Sequence, residues 1–470
     1  MSPGKKSPHP LIPVTAYPGI EWPAVSKGPL AAMLAIQYQL DHSQWWPAAT
    51  LGALQMRQIE KLIGHAAETV PFYRGRLRSL AGVRSGALTL DLFRRIPVMG
   101  RADIQDAGPA LNSRKVPKDH GKTGVARSSG STGRPVTVKT TAITELFFAA
   151  LNLRFHLWHG HGLSAEMAAI RGLGDKEAEL ARTGKPSAWL AGHSTGPMWM
   201  FDITRPVGEQ LEWLVRRDPE YLLTHPSNLR ALLERCEKDG VALPRLKEVN
   251  TMTEIIDGSL REQCRRVWGV PIADTYSAME VGFIALQCPD HPHYHVQDES
   301  LLVEVLDDDG EPCAPGRIGR VVLTDLHNFA TPLIRYEIGD YAEVGEPCPC
   351  GRGLRVLARI LGRTRNMVTF PGGDKAWPLP YWSRELLAAA PVRQIQFIQR
   401  SLDEIVVKLA VERHLTEREE DGLRELFLRR LGHPFKLRFV YVDEIPRSAG
   451  GKYEDFVSEI EEVEGGAKGG

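Results

Sequence analysis

Residues Ser128-Ser129-Gly130-Ser131-Thr132-Gly133 carry only small or hydroxylated side chains, and Arg134-Pro135 closes the run. Val136-Thr137-Val138 then reads as a strand. Glycines in such a loop leave backbone N–H groups exposed and let a phosphate approach closely. The hydroxyls of Ser129, Ser131 and Thr132 add donors. No Gly-x4-Gly-Lys-Ser/Thr spacing is present, which excludes a Walker loop. Taken alone, the stretch reads equally well as a flexible Ser/Gly turn.

A second element near the C-terminus weighs against the bland reading. Ile445-Pro446-Arg447-Ser448-Ala449-Gly450-Gly451-Lys452 places a lysine after a glycine turn that follows the strand-like Leu437–Val442. By itself a Gly-Gly-Lys is a solvated turn. Three further motifs lie between the loops. Asp274-Thr275-Tyr276-Ser277-Ala278-Met279-Glu280 resembles a Tyr-Gly-x-x-Glu segment, with Ser277 in place of Gly. Arg335-Tyr336-Glu337-Ile338-Gly339-Asp340 resembles Arg-Tyr-x-x-Gly-Asp. Gly362-Arg363-Thr364-Arg365-Asn366 resembles a Gly-Arg-x-x-Asp hinge, with Arg365-Asn366 where Asp-Asp is usual. Thr69-Val70-Pro71-Phe72-Tyr73 and Arg95-Ile96-Pro97-Val98 fit the N-terminal segments of the same pattern. Together these motifs resemble the adenylate-forming superfamily of acyl-CoA synthetases, in its phenylacetate–CoA ligase-like branch. The likeness runs from about residue 50 to about residue 460.

The resemblance implies a reaction and a division of labour. A carboxylate is a poor electrophile until it becomes a mixed anhydride with AMP. One carboxylate oxygen must lie in line with the ATP α-phosphorus, and the growing phosphoryl charge must be spread. Ser128, Ser129, Gly130, Ser131, Thr132 and Gly133 would cradle the β- and γ-phosphates. Glu280 would help hold Mg2+, a hard ion that takes oxygen ligands. Lys452 would bridge carboxylate and α-phosphate as a stabiliser of transition-state charge. Asp340 would accept from both ribose hydroxyls, with Arg363 beside the ribose. Thr253, Glu254, Asp274, Thr275, Tyr276 and Ser277 would flank the adenine, Tyr276 by stacking. Arg335 reads as a partner of nearby carboxylates, or as a nucleotide contact. In the resembling enzymes the lysine-bearing domain rotates about the hinge after adenylation and admits a thiol, coenzyme A here.

Composition fits a large soluble enzyme. A chain of 470 residues predicts two or three domains with an ample core. Lys plus Arg equal Asp plus Glu at 58 each, so no overall attraction to nucleic acid or membrane surfaces is expected. No apolar run of 18 residues suggests a membrane span. Met1 to Lys27 holds six prolines and no hydrophobic core segment. It reads as an extended arm and not a secretory signal, which makes cytoplasmic residence the default.

Six cysteines do not make a disulfide framework. Cys348-Pro349-Cys350-Gly351 is a knuckle able to aim two thiolates at one point, and Cys288 precedes His291, His293 and His295. Three thiolates and one imidazole form a structural zinc set. Some members of the resembling family carry the same Cys…His…Cys-x-Cys pattern, and others lack it. The expected ligands are Cys288, His295, Cys348 and Cys350, with His293 the alternative to His295; three reduced thiols without metal is the other reading. Cys236 and Cys264 fall in helical patterns, and Cys313 lies in a Pro-rich turn.

The expected fold class is α/β: a large N-terminal adenylate-forming domain of sheets flanked by helices, and a small mobile α+β C-terminal domain. Residues 1–48 form an extended Pro-rich arm and an entry segment, 49–362 the ATP- and acid-binding domain, and 363–470 the lid carrying Lys452. Helices are expected over 49–68, with Leu51, Leu54, Ile59, Leu62 and Ile63 on one face, and over 141–158, 209–215 and 229–237. Strands are expected at 168–172, 301–306 and 318–324, with a hairpin turn at Asp307-Asp308-Asp309-Gly310. The lid reads as strand 394–399, strand 405–411, helix 416–431 and strand 437–442. Thr416 and Glu419 form a capping box.

The resemblance places the acid pocket between the helix after the phosphate loop, the 221–226 region and the segment after Tyr276, which here implies Phe148, His156, Trp158, His159, His225, Ala278 and Val281-Gly282-Phe283; an aromatic helix face at this spacing reads equally as core. Aromatic lining with small neighbours suits an aryl or arylacetic acid, with a medium acyl chain as the alternative. The acceptor is coenzyme A or, alternatively, a carrier-protein thiol, an amine or a hydroxyl. Intact Lys452, Glu280 and Asp340 argue against a non-catalytic binding protein. The oligomeric state stays open between monomer and homodimer.

Overall fold

The computed structural model describes residues 16, 18, 20, 24–80, 82–84, 86–128, 135–190, 193, 195–363, 366–377, 384–447 and 453–460. Ser129 to Gly133 and Lys452 lie outside the described residues, as do Thr364 and Arg365 of the hinge. The chain divides into two compact units, Met1–Ile256 with Leu260–Ile360, and Asp257–Ser259 with Leu361–Gly470.

The large unit is built on a twelve-stranded mixed sheet. Its spatial order begins with an antiparallel set: Leu301–Leu306, Ile318–Asp325, Tyr336–Val344, Val356–Arg363, Tyr294–Val296 and Gly282–Gln287. It continues through Ile272–Ala278, Glu248–Met252, Tyr221–Thr224, Met167–Arg171 and Pro197–Asp202, which run parallel, and ends on Ser187–Ala188. Met167–Arg171 is buried at four of its five positions, as expected where helices cover both faces of a parallel sheet. Helices Val207–Arg217, Pro226–Asp239 and Gly258–Trp268 supply one core with Leu214, Leu229, Leu233 and Cys264. Helix Ala142–Trp158 supplies another with Leu151, Leu153 and Phe155.

Two local expectations change. The entry segment that follows the Pro-rich arm holds a helix, Gly28–Ser43. Ala31, Ala32, Met33, Leu34 and Ala35 favour helix, and Met33, Gln37 and Leu40 recur at helical spacing as its buried face. In helix Ala48–Thr69 the buried stripe is Leu51, Gln55, Ile59, Leu62 and Ala66, while Leu54 is exposed. Gln55 takes the inward position because its amide donates to Asp298 O at 2.6 Å and Leu301 O at 3.0 Å.

The small unit holds a four-stranded sheet, Lys436–Tyr441, Glu404–Val411, Val392–Gln399 and Phe456–Ser458 in spatial order. Helix Glu417–Leu431 packs Leu423, Leu426 and Phe427 onto it. The Thr416–Glu419 capping box is present: Glu419 N donates to Thr416 Oγ1 at 3.3 Å and Thr416 N to Glu419 Oε2 at 2.8 Å. A large α/β body with a small α+β C-terminal unit is the fold class read from the sequence.

Candidate active site and metal centre

The register of the parallel strands aligns Thr224 with Thr251, and Thr251 with Asp274. His225 and Thr253 therefore leave the sheet beside Tyr276, near the C-terminal strand ends, where open α/β sheets bind ligands. Tyr276 is buried, and its hydroxyl donates to Asp340 Oδ2 at 2.8 Å. Thr253 adopts φ +70, a left-handed conformation that costs a threonine about 1–3 kcal/mol. Its hydroxyl meets His225 Nδ1 at 2.6 Å. Glu254 accepts from Ser227 N at 2.8 Å and Ser227 Oγ at 3.0 Å, at the start of helix Pro226–Asp239. Asp274 accepts from Thr251 Oγ1 and Tyr294 OH, each at 2.6 Å, and burial pushes its carboxyl up to about 6. Both its oxygens are thus engaged inside the sheet.

Glu280 is buried in the turn that joins Ile272–Ala278 to Gly282–Gln287. The ladder shifts register between Tyr276 and Ser277. Ser277 is not among the non-glycine residues with positive φ, so its backbone does not require the glycine it replaces.

The hairpin Thr123–Arg127 with Thr137–Thr141 frames the glycine loop. Ser128 N donates to Val136 O at 2.9 Å, and Val136 N to Ser128 Oγ at 2.8 Å. Arg101 Nη2 also donates to Ser128 Oγ, at 3.0 Å. No motif spacing marks Arg101 in the sequence. Lys139 ties the hairpin to the 328–331 loop, through its N to Thr331 Oγ1 at 2.9 Å and its O from Asn328 Nδ2 at 3.0 Å.

Arg335 is a structural residue. It is buried with φ +52, pairs with Glu304 through Nε to Oε2 at 3.0 Å, and donates from Nη1 to Ile96 O at 2.7 Å and to Arg94 O. Tyr73 OH donates to Pro332 O at 2.9 Å and accepts from Ile334 N at 3.1 Å. The two N-terminal segments thus brace the chain that leads into Asp340.

The acid-pocket residues fall into separate groups. Phe148 stacks on Phe283 with ring centres 4.8 Å apart and 11° between planes, and is 48% exposed. Gly282, at φ +77, lies beside it; a Cβ there would sit 3.2 Å from Phe148 Cδ2. These residues adjoin Glu280, with exposed Met279 next to it. His156 and His159 belong elsewhere. His156 Nδ1 meets His161 Nδ1 at 2.8 Å, His161 Nε2 meets Glu248 Oε1 at 2.6 Å, and His159 Nδ1 lies 3.6 Å from Glu248. Glu248 opens its strand and pairs in register with Tyr221, so this cluster sits at the N-terminal strand ends, away from His225 and Thr253. Trp158 packs edge-on against His295 at 5.7 Å.

Cys288, His295, Cys348 and Cys350 converge, with ligand atoms all within 4.8 Å of one another. Cys288 Sγ lies 3.9 Å from Cys348 Sγ, and Cys350 Sγ lies 3.5 Å from His295 Nε2. A tetrahedral zinc with bonds near 2.3 Å to sulfur and 2.0–2.1 Å to nitrogen requires separations of about 3.8 and 3.5 Å. The donor set therefore fits zinc. Burial, then Arg352, pushes His295 down to about 3, which keeps the imidazole in the neutral form a ligand needs. His293, the alternative ligand, is not in the group. Cys236 and Cys264 are buried in the core as read, and Cys313 lies outside both clusters.

Phenylacetate-coenzyme A ligase of Thermus thermophilus is 28% identical over 454 residues, covering 86% of this chain and 96% of that protein. The Escherichia coli K12 enzyme of the same name is 27% identical over 345 residues, covering 68% and 73%. The chain is thus similar, over most of its length, to phenylacetate–CoA ligases. The CapK C-terminal domain family matches residues 385–459. A 2-hydroxyisobutyryl-CoA ligase in its postadenylation state shares the fold, with TM-score 0.70, 19% identity and coverage of 89% of this chain and 92% of that one. An anthranilate CoA ligase in complex with anthranoyl-AMP matches at TM-score 0.51 and 19% identity, over 70% and 65%. Within this family frame, the side chains that sequence reasoning missed are Arg101 and His225's partnership with Thr253. No described helix is long and apolar enough to cross a membrane.

Proposed function

We propose that this protein uses ATP to convert a carboxylic acid to an acyl-adenylate, releases pyrophosphate, and passes the acyl group to the thiol of coenzyme A. The Tyr276–Asp340 hydrogen bond at the strand ends carries the reading. It supports a carboxylate held ready for two ribose hydroxyls beside a ring that stacks on adenine. Relatives named phenylacetate-coenzyme A ligase, matched over most of their length, support the reaction.

The residues divide the work as follows. Ser128 to Gly133 bind the β- and γ-phosphates, on a hairpin fixed at Ser128 and Lys139. Glu280 holds the magnesium ion, which neutralises phosphate charge when bound. Lys452 stabilises charge on the α-phosphate and the attacking carboxylate. Thr253, Glu254, Asp274, Thr275 and Ser277 shape the adenine wall largely through backbone, since Asp274 and Glu254 already bond to neighbours. Arg363 lies at the ribose, and the segment after it is the hinge of a mobile lid. The Phe148–Phe283 stack beside Gly282 supports an aryl or arylacetic acid as substrate. A structural zinc held by Cys288, His295, Cys348 and Cys350 braces the strand after Glu280 against the knuckle that follows Asp340. Six free cysteines suit a reducing cytoplasm.

A panel of arylacetic, benzoic and aliphatic acids, assayed for AMP and thioester with and without coenzyme A, tests the proposal. Thioester formation that requires both an aryl acid and coenzyme A is the expected result. Steady AMP release that needs an amine or a carrier-protein thiol, with no response to coenzyme A, would assign the other acceptor.

A further inference from the structure

The four metal ligands leave a charge unbalanced. A divalent zinc with three thiolates and a neutral imidazole carries a net charge of about −1. Cys288, His295 and Cys348 are buried, and a buried charge is costly unless it is paired. Arg154 is the other guanidinium near the site, but it already pairs with Glu299 through Nη1 to Oε2 at 3.0 Å and Nη2 to Oε1 at 2.8 Å.

Arg352 meets the need. Its Nη1 donates to Cys350 Sγ at 3.4 Å and its Nε to Gln44 Oε1 at 2.9 Å. Its guanidinium lies between two indole rings, 4.8 Å from the centre of Trp45 and 4.4 Å from that of Trp158. Trp158 in turn packs edge-on against His295. Gln44 O accepts from Gly353 N at 2.8 Å. A Cβ at Gly353 would fall 1.7 Å from Trp46 O, so only glycine allows this approach. One arginine thus touches the knuckle, the 44–46 segment and the end of helix Ala142–Trp158. Arginine keeps its proton at any working pH, and a planar fork between aromatic faces is the geometry it favours.

We propose that Arg352 is the counter-ion of the metal centre, a positioning residue that offsets the surplus charge of the three-cysteine, one-histidine set and clamps residues 44–46 onto the knuckle. The proposal rests on the zinc reading above. Outer partners of this kind typically alter metal affinity 10–100-fold.

The test is zinc competition against a chromophoric chelator for wild type, Arg352→Gln and Arg352→Lys, with tryptophan emission followed as zinc is withdrawn. Arg352→Gln should bind zinc about 10–100-fold more weakly. Arg352→Lys should recover part of that loss, since it keeps the charge and loses the fork. In wild type, zinc withdrawal should red-shift emission as the Trp45–Arg352–Trp158 sandwich loosens. Equal zinc affinity in wild type and Arg352→Gln would overturn the counter-ion role and leave Arg352 as packing. If Arg352→Gln does not fold, an unchanged wild-type emission spectrum after complete zinc removal would overturn the clamp. Wild type that takes up no zinc at all would instead overturn the metal reading beneath it.

Discussion

Tyr276 and Asp340 stand 64 residues apart in sequence and share one hydrogen bond of 2.8 Å. The phenol fixes Asp340 Oδ2, so a ligand's hydroxyls meet a carboxylate already oriented. Asp340→Ala should raise the ATP KM on the order of 10²-fold, because hydrogen bonds to a charged acceptor are worth roughly 1.5–3 kcal/mol each. Tyr276→Phe keeps the ring and should raise it only about fivefold, for roughly 1 kcal/mol of orienting hydrogen bond. Comparing ATP with 2′-deoxy-ATP checks the contact: wild type should discriminate between them, and Asp340→Ala should not.

Arg335 and Glu304 form a buried pair. Arg335→Gln should destabilise the fold by about 3 kcal/mol, since Glu304 keeps only the longer contact to Arg94 Nε at 3.4 Å. Urea unfolding measures the loss, and any folded fraction should keep a near-normal ATP KM. A selective ATP defect with unchanged stability would return Arg335 to the nucleotide site.

Gly282 sits at φ +77 against Phe148. Gly282→Ala should cost roughly 1–2 kcal/mol of stability from its left-handed backbone. It should also raise the KM for an aryl acid more than that for ATP, because the new methyl displaces Phe148. Steady-state kinetics with both substrates varied separates the effects.

The His156–His161 pair predicts an acid-sensitive fold. Burial first, then His161 and His159, holds His156 well below the ordinary histidine value. The unfolded chain therefore takes up the proton first. The stabilisation is complete above about pH 6.5 and is lost as pH falls below it. Asp274 and Asp325, both raised to about 6 by burial, pull the other way, so wild type alone does not isolate the histidine. The difference in unfolding free energy between wild type and His156→Gln should shift as pH falls below 6.5, with a slope that approaches at most about 1.4 kcal/mol per pH unit. A pH-independent difference would contradict the assignment.

Cys348→Ser should lower the melting temperature first and activity only through it. Elemental analysis should find one zinc per chain in wild type purified without chelator, and less in the variant. Absence of stoichiometric zinc from wild type would leave the four residues as ordinary thiols and an imidazole.

Three strands and the long helix of the C-terminal unit were readable, but its fourth strand, Phe456–Ser458, and the helix Arg384–Ala389 were not. The unit's alternating strands, capped helix and short turns are local signals, and Thr416 with Glu419 marks the helix start in sequence as in space. The convergence of Cys288, His295, Cys348 and Cys350 was readable because cysteines are scarce and the knuckle is short. The acid pocket was not. Phe148 and His156 share one helix and His159 follows its last residue, but about 1.5 Å of rise per residue carries them from the glutamate turn to the far end of the sheet. Helical spacing cannot say which end of a helix meets a substrate. Arg101 escaped for a similar reason, since its contact with Ser128 is made by tertiary folding across 27 residues. The helix Gly28–Ser43 was hidden by the prolines before it, which drew attention from the Ala- and Leu-rich run that follows.

Acid-dependent exchange of labelled pyrophosphate into ATP, measured without coenzyme A, tests the central claim most directly when wild type and Lys452→Ala are run side by side. Wild type should catalyse exchange with an arylacetic acid, and Lys452→Ala should lose it by on the order of 10²–10³-fold. The variant should still make thioester from coenzyme A and a supplied acyl-adenylate. No exchange in wild type with any acid, or equal loss of both half-reactions in the variant, would contradict it.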